Sequence, residues 1–398
     1  MLYISFILSF LINIISTFAF IPTGREFHSS ILIDKKLYFS GGVLSAIDVT
    51  NELFYLDFSK SFKITNNASI PWVDLTYTNG PLKHSATACI GGNNNDTIFI
   101  FGGFPYDDYF VNQFNTSKQQ WTNITANGSV PIYREDISCA KFNNGLIAIF
   151  SGYINLTYAQ NDLWIFNSLT LSWSLSNATN APSSRFGYSA ITLPDDNILY
   201  IGGSNPTNNS LYMPMNNLPL YNTKSDTWTS MNISGPTPPA RVYFSAILTP
   251  DRRIIIFGGR NETVLGDLWI LDLATSQWSI GNILNPIADL ALYGHTATLM
   301  DNYMLISFGS FLNSSLSSRI FMLNVNAFTW VDEFTLTDTT PKVSNSQFSG
   351  LMMGAIVSGV ISVIIFIGTI IFIYKNYEKF NLYNYLPMTT TKPDDSDL

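Results

Sequence analysis

The sequence predicts an all-β fold, a six-bladed β-propeller, followed by one C-terminal transmembrane α-helix. Three observations predict it. A small-residue pair recurs with a period near 50 residues, short apolar strands surround each pair, and a separate 25-residue apolar run lies near the C-terminus. Composition agrees: 46% of the 398 residues are hydrophobic and only 12% are charged, so the chain can bury a large core and wholesale disorder is excluded.

The repeat opens with a basic or ring residue before a strand: Arg25, Lys83, Arg134, Arg185, Arg241 and, in the last unit, Gly294-His295. A second strand ends in the small pair. These are Gly41-Gly42, Gly102-Gly103, Ser151-Gly152, Gly202-Gly203, Gly258-Gly259 and Gly309-Ser310, spaced 49 to 61 residues apart. A third strand follows, clearest in Asp162-Leu163-Trp164-Ile165-Phe166 and Asp267-Leu268-Trp269-Ile270-Leu271. An aromatic then opens the fourth strand: Phe62, Trp121, Trp173, Trp228, Trp278 and Trp330, with Trp72 read as a local packing residue. Four short strands cannot bury both faces of their sheet alone, so six such units must stack blade against blade.

These motifs resemble the kelch-repeat family, within the galactose oxidase and kelch-like superfamily, over residues 20–334. The resemblance implies the propeller fold and a non-catalytic protein-interaction or adhesion module. Joined to the two apolar ends, it is similar to a membrane-anchored kelch type. The alternative is a carbohydrate-binding, lectin-like surface receptor; a copper-radical oxidase is the third reading. That oxidase chemistry needs two His, two Tyr and a Cys cross-linked to a Tyr. Only His28, His84 and His295 are present, all in one slot of the repeat, so neither metal nor other cofactor is expected. No Gly-x-Ser-x-Gly elbow or phosphate loop occurs, and no catalytic residue is assigned.

The ends supply an address. Residues 1–19 read as a signal peptide, with Phe20 the first mature residue. Residues 335–349 read as a Ser/Thr-rich stalk. Residues 350–374 carry no charge and span a bilayer, and Lys375 and Lys379 place the tail 375–398 in the cytosol. The expectation is a single-pass type I protein of the plasma membrane or a secretory or endosomal membrane. Gly350, Gly354, Ser358 and Ser362 recur on one helix face and suit a homodimer. Tyr383-Asn384-Tyr385-Leu386 fits a short sorting signal, or an ordinary juxtamembrane tail.

Eleven sequons lie between the apolar ends: Asn67, Asn95, Asn115, Asn123, Asn127, Asn155, Asn177, Asn208, Asn232, Asn261 and Asn313. Cys89 and Cys139 fall in first strands of neighbouring units. An odd offset within the repeat sends their side chains to opposite sheet faces, which predicts two free thiols rather than a bridge. The net charge of -8 and the lack of a basic run argue against nucleic acid.

For a protein or glycan ligand, strand order puts the loops after the small pairs and the connections between blades on one face. Arg25, Lys83, Arg134, Arg185 and Arg241 would surround its mouth and receive an anionic group. The competing reading is that the repeated cation closes each blade by local pairing. The loop tyrosines Tyr106, Tyr158 and Tyr212 would stack on a ligand ring.

Overall fold

The computed structural model describes residues 19–336, apart from 107–108, 126–127, 143–144, 155–157 and 207–210. The signal peptide, the dimer stripe, the span and the tail, and the sequons Asn127, Asn155 and Asn208, therefore lie outside the described residues. Among the described residues no helix is long and apolar enough to cross a membrane.

Six four-stranded antiparallel sheets follow one another along the chain. Blade 3 shows the plan. Cys139–Phe142 pairs with Leu146–Phe150, that strand with Leu163–Asn167, and the last with Ser172–Leu175. First strands pack against first strands of neighbouring blades and so line the axis. The second and third strands are the apolar middle of each blade: Ile147, Ala148, Ile149 and Phe150 are all fully buried. Both faces are buried because each seam between blades holds its own hydrophobic cluster, six clusters for six seams. Burial of these side chains is the main stabilising term of the ring.

Three assignments differ from the sequence reading. In blade 1 the fourth strand is Trp72–Asp74, and Leu56 opposite Trp72 matches Phe166 opposite Trp173 in blade 3. Trp72 is thus the repeat tryptophan, displaced by an insertion, and Phe62 has another task. Phe62-Lys63 pairs with Glu333-Phe334, and Phe58, Phe62 and Phe334 pack ring against ring. Each blade is one continuous stretch of chain, so the ends close the circle by this small ribbon and by backbone bonds such as Gly309 N–H to Arg25 C=O (2.8 Å). Phe20 joins the same seam on the ring of Phe54.

The second difference is in blade 6, where the small pair is Phe308-Gly309 rather than Gly309-Ser310. Phe308 takes φ +59, as Ser151 takes φ +56 in blade 3. Elsewhere glycine fills that left-handed position for a steric reason as well: a Cβ on Gly102 would stand 2.3 Å from the Arg134 carbonyl oxygen.

The third concerns the cysteines. Cys89 and Cys139 form a disulfide across the seam of blades 2 and 3. Set against the repeat, Cys139 matches Ala88, so the offset is one residue. Its parity does send the side chains to opposite faces of equivalent sheets. Neighbouring blades, however, meet through opposite faces, so this parity makes the two sulfurs face each other.

Candidate functional site

The repeated cations do not reach solvent. Arg25, Arg134 and Arg241 are fully buried, and Lys83 and Arg185 nearly so. In blades 1, 3 and 5 the guanidinium closes its own blade through an ion pair. Arg134 donates through Nε to Ile132 C=O (3.0 Å), through Nη1 to Ser151 C=O (3.0 Å), and in a fork to Asp162 (2.6 and 3.1 Å). Arg241 repeats this with Pro239, Gly258 and Asp267. Arg25 does so with Thr23, Gly41 and Glu52, its guanidinium 4.6 Å from the centre of the Phe54 ring. The forked pairs hold the Asp162 and Asp267 carboxyls below the usual carboxylate range despite burial, and the indoles of Trp164 and Trp269 donate to the same carboxylates. Lys83 stands with its ammonium 5.9 Å from the Tyr133 ring centre. The local-pairing reading describes Arg25, Arg134 and Arg241.

The expected sharing of one face by the pair loops and the blade connections is realised as hydrogen bonding. Glu26 bridges to Val43, His84 to Phe104, Glu135 to Tyr153, Phe186 to Ser204, Val242 to Arg260 and Tyr293 to Ser310. One residue further on, six backbone N–H groups form a closed circle about the axis. Phe27 donates to Gly294, Ser85 to Phe27, Asp136 to Ser85, Gly187 to Asp136, Tyr243 to Gly187 and Gly294 to Tyr243, all at 2.8–3.0 Å. All six residues are left-handed, with φ between +53 and +63. Only two are glycine, so satisfied backbone bonding offsets the local strain at the other four.

The side chains around this circle are acidic and aromatic. Asp136 accepts from Tyr243 Oη (2.8 Å), and burial pushes its carboxyl up to about 6. Glu135 is buried, and burial with the neighbouring Asp136 charge pushes it up to about 7. Glu26, of the same repeat position as Glu135, is also raised by burial; Arg260 opposes that shift and lies 5.0 Å from the Tyr293 ring centre. Phe27 packs edge-on against Tyr243, and Tyr153 lies against Phe186. The mouth is thus a rim of carboxyls and rings with Arg260 among them, and the repeated cations are not part of it.

Tyr106 belongs to this rim and hydrogen bonds to Glu135. Tyr158 is exposed on the blade 3 loop and Tyr212 half-buried in a blade 4 hairpin. The three occupy loops of successive blades, and no ring contact joins one to another. Of the described sequons, Asn67, Asn95, Asn123, Asn177, Asn232 and Asn313 are exposed, while Asn115 and Asn261 are half-buried.

Below the mouth is an axial cavity of about 270 Å³ walled by Ser, Ala and Thr of the first strands. His28 and His295 are wall residues. His28 Nε2 pairs with Thr296 Oγ1 and His295 Nε2 with Ser245 Oγ, each at 2.9 Å, so they stitch the two seams of blade 6. Burial drives both below the usual histidine range, His295 to about 4. His84 stands apart, against the Phe104 ring. Among the described residues no three His, Cys, Asp or Glu side chains converge on a metal-sized site.

A family model described as the KLHDC2/KLHL20/DRC7 Kelch-repeats domain matches residues 64–259 and 201–383, together most of the chain. This chain belongs to the kelch-repeat family. Among curated relatives, it is 30% identical over 205 residues to Tip elongation aberrant protein 1 of Schizosaccharomyces pombe, covering 48% of this chain and 17% of that protein. It is 26% identical over 205 residues to the host cell factor homolog hcf-1 of Caenorhabditis elegans, covering 46% and 26%. It is 24% identical over 253 residues to acyl-CoA-binding domain-containing protein 4 of Arabidopsis thaliana, covering 59% and 36%. The chain spans well under half the length of these relatives.

Proposed function

We propose that this chain is a non-catalytic protein-interaction module, a kelch propeller that engages its partner at the axial mouth. One observation carries the reading. Arg25, Arg134, Arg241 and two of the three histidines are spent on closing blades and seams, whereas the half-buried Phe27, Asp136 and Tyr243 converge on the axial circle. Rigid aromatic groups on a fixed scaffold suit protein recognition. The disulfide and the exposed sequons support a propeller that matures in an oxidising, glycosylating compartment. Residues 350–374 would anchor it, with the propeller outside the cell or in the secretory lumen.

A site-specific photocrosslinker in the full-length protein tests this. Placed at Phe104, 42% exposed on the mouth face, it should trap a defined protein. Placed at Ile280, 65% exposed on the outer strand of blade 5, it should not. Trapping at Ile280 alone, or at neither position, contradicts the proposal.

A further inference from the structure

Blade 4 breaks the rule that governs the other buried arginines. Strand register aligns Leu218 with Leu163 and Leu268, because Tyr221 opposite Trp228 matches Phe166 opposite Trp173 and Leu271 opposite Trp278. The residue before that leucine is Glu52 in blade 1, Asp162 in blade 3 and Asp267 in blade 5, and each pairs with its blade's arginine. In blade 4 it is Asn217, which is exposed and brings no charge. The residue after the leucine is Phe54, Trp164 or Trp269, a ring beside the ion pair. In blade 4 it is Pro219. Both members of the lid are therefore cut back together.

What they leave is an open cavity of about 400 Å³, with Arg185, Asn217, Pro219, Met213, Pro182 and Trp228 in its wall. Arg185 is 4% exposed, and among the described residues its side chain makes two long bonds, Nε to Ser183 C=O and Nη1 to Gly202 C=O, both 3.4 Å. No salt bridge reaches it among the described residues, and burial lowers its guanidinium to about 10. A buried cation without a counter-charge is costly, and every equivalent arginine with an acid in its blade avoids that cost.

We propose that the blade 4 cavity is a carboxylate-binding site, in which a carboxylate of a partner polypeptide takes the place that Asp162 and Asp267 hold in their own blades and pairs with Arg185. The planar guanidinium offers a fork matched to a carboxylate, and Pro182, Met213 and Trp228 give an apolar wall to the group that carries it. The site is separate from the axial mouth, and its test is independent of whether the mouth binds.

Isothermal titration of the full-length protein provides the test, with three N-acetylated tetrapeptides as probes. One is Gly-Trp-Glu-Gly amide, with its carboxylate on a side chain. The second is Gly-Trp-Gly-Gly with a free C-terminus, and the third is the same sequence as an amide. At least one carboxylate peptide should bind ~10- to 100-fold more tightly than the neutral amide, the ratio expected of one charged hydrogen-bonded pair. Which one does so separates an acidic side chain from a chain terminus. Asn217→Asp should restore the internal pair, raise the melting temperature and abolish that preference, so lost binding cannot be mistaken for lost folding. Pro219→Trp should weaken binding by refilling the cavity. Equal affinity for all three peptides, no binding by any, or unchanged preference in Asn217→Asp overturns the proposal.

Discussion

Blades 3 and 4 are neighbours with the same strand plan and the same buried arginine, yet they treat that arginine in opposite ways. In blade 3, Arg134 is forked onto Asp162, which also accepts from the Trp164 indole. In blade 4, Arg185 has two long bonds to carbonyls and a cavity at its side. The comparison teaches that the repeat fixes where a cation sits and that two further residues decide whether it serves the blade or faces a ligand.

The largest expected effect converts blade 3 into blade 4. Asp162→Asn strands a buried guanidinium and should cost about 3–5 kcal/mol in chemical unfolding. The single amide oxygen left at that position cannot accept from both the guanidinium fork and the Trp164 indole. An unchanged midpoint would show that the fork contributes little and would erase the contrast.

The seam of blades 2 and 3 comes next. Its disulfide joins cysteines 50 residues apart, and reduction should cost about 2–4 kcal/mol. Alkylation of denatured, non-reduced protein should label neither cysteine. Labelling of both would restore the free-thiol reading and remove a constraint that blade 4 lacks.

The reverse conversion is expected to be gentler. Asn217→Asp supplies Arg185 with a partner and should add about 1–3 kcal/mol. The gain should appear at pH 7 and fade as the pH falls below the usual aspartate range.

The smallest effect is a pH dependence at the mouth. Glu135 and Asp136 titrate near 7 and 6, above their unfolded values. The folded state therefore holds more protons, and stability should rise as the pH falls from about 8 towards 5. Glu135→Gln should flatten that slope by on the order of 1 kcal/mol. Asp162 and Asp267 are shifted the other way, so their contribution persists until the pH drops below about 4. A slope of the opposite sign would place ionised carboxylates in good contacts at the mouth.

The architecture was legible because it is written six times. The small pairs, the downstream tryptophans and the apolar strands reveal the period even where single units drift. Single units are also where reading failed. Trp72 reads as a local packing residue because the insertion from Phe58 to Pro71 carries Phe62 at the usual spacing, and Phe308 escapes the pair because a bulky residue at positive φ leaves no local sign. The cysteine parity was right, but its meaning depends on blades meeting through opposite faces, which is tertiary information. Charge was harder. The sequence marks Arg25, Lys83, Arg134, Arg185 and Arg241 as a set, and all five are buried, while ion pairing of the arginines depends on whether an acid lies 26 to 28 residues later. The substitution of Asn217 and Pro219 at that place was visible in principle, once the third strands were aligned. The acidic mouth had a weaker signal, since Glu26 and Glu135 match in only two units.

The measurement that bears most directly on the blade 3 and blade 4 contrast is the unfolding free energy of Asp162→Asn and Asn217→Asp in the full-length protein at pH 7. Opposite signs are expected, with Asp162→Asn destabilised and Asn217→Asp stabilised. If Asn217→Asp is neutral or destabilised, Arg185 does not lack a counter-charge and the two blades are alike.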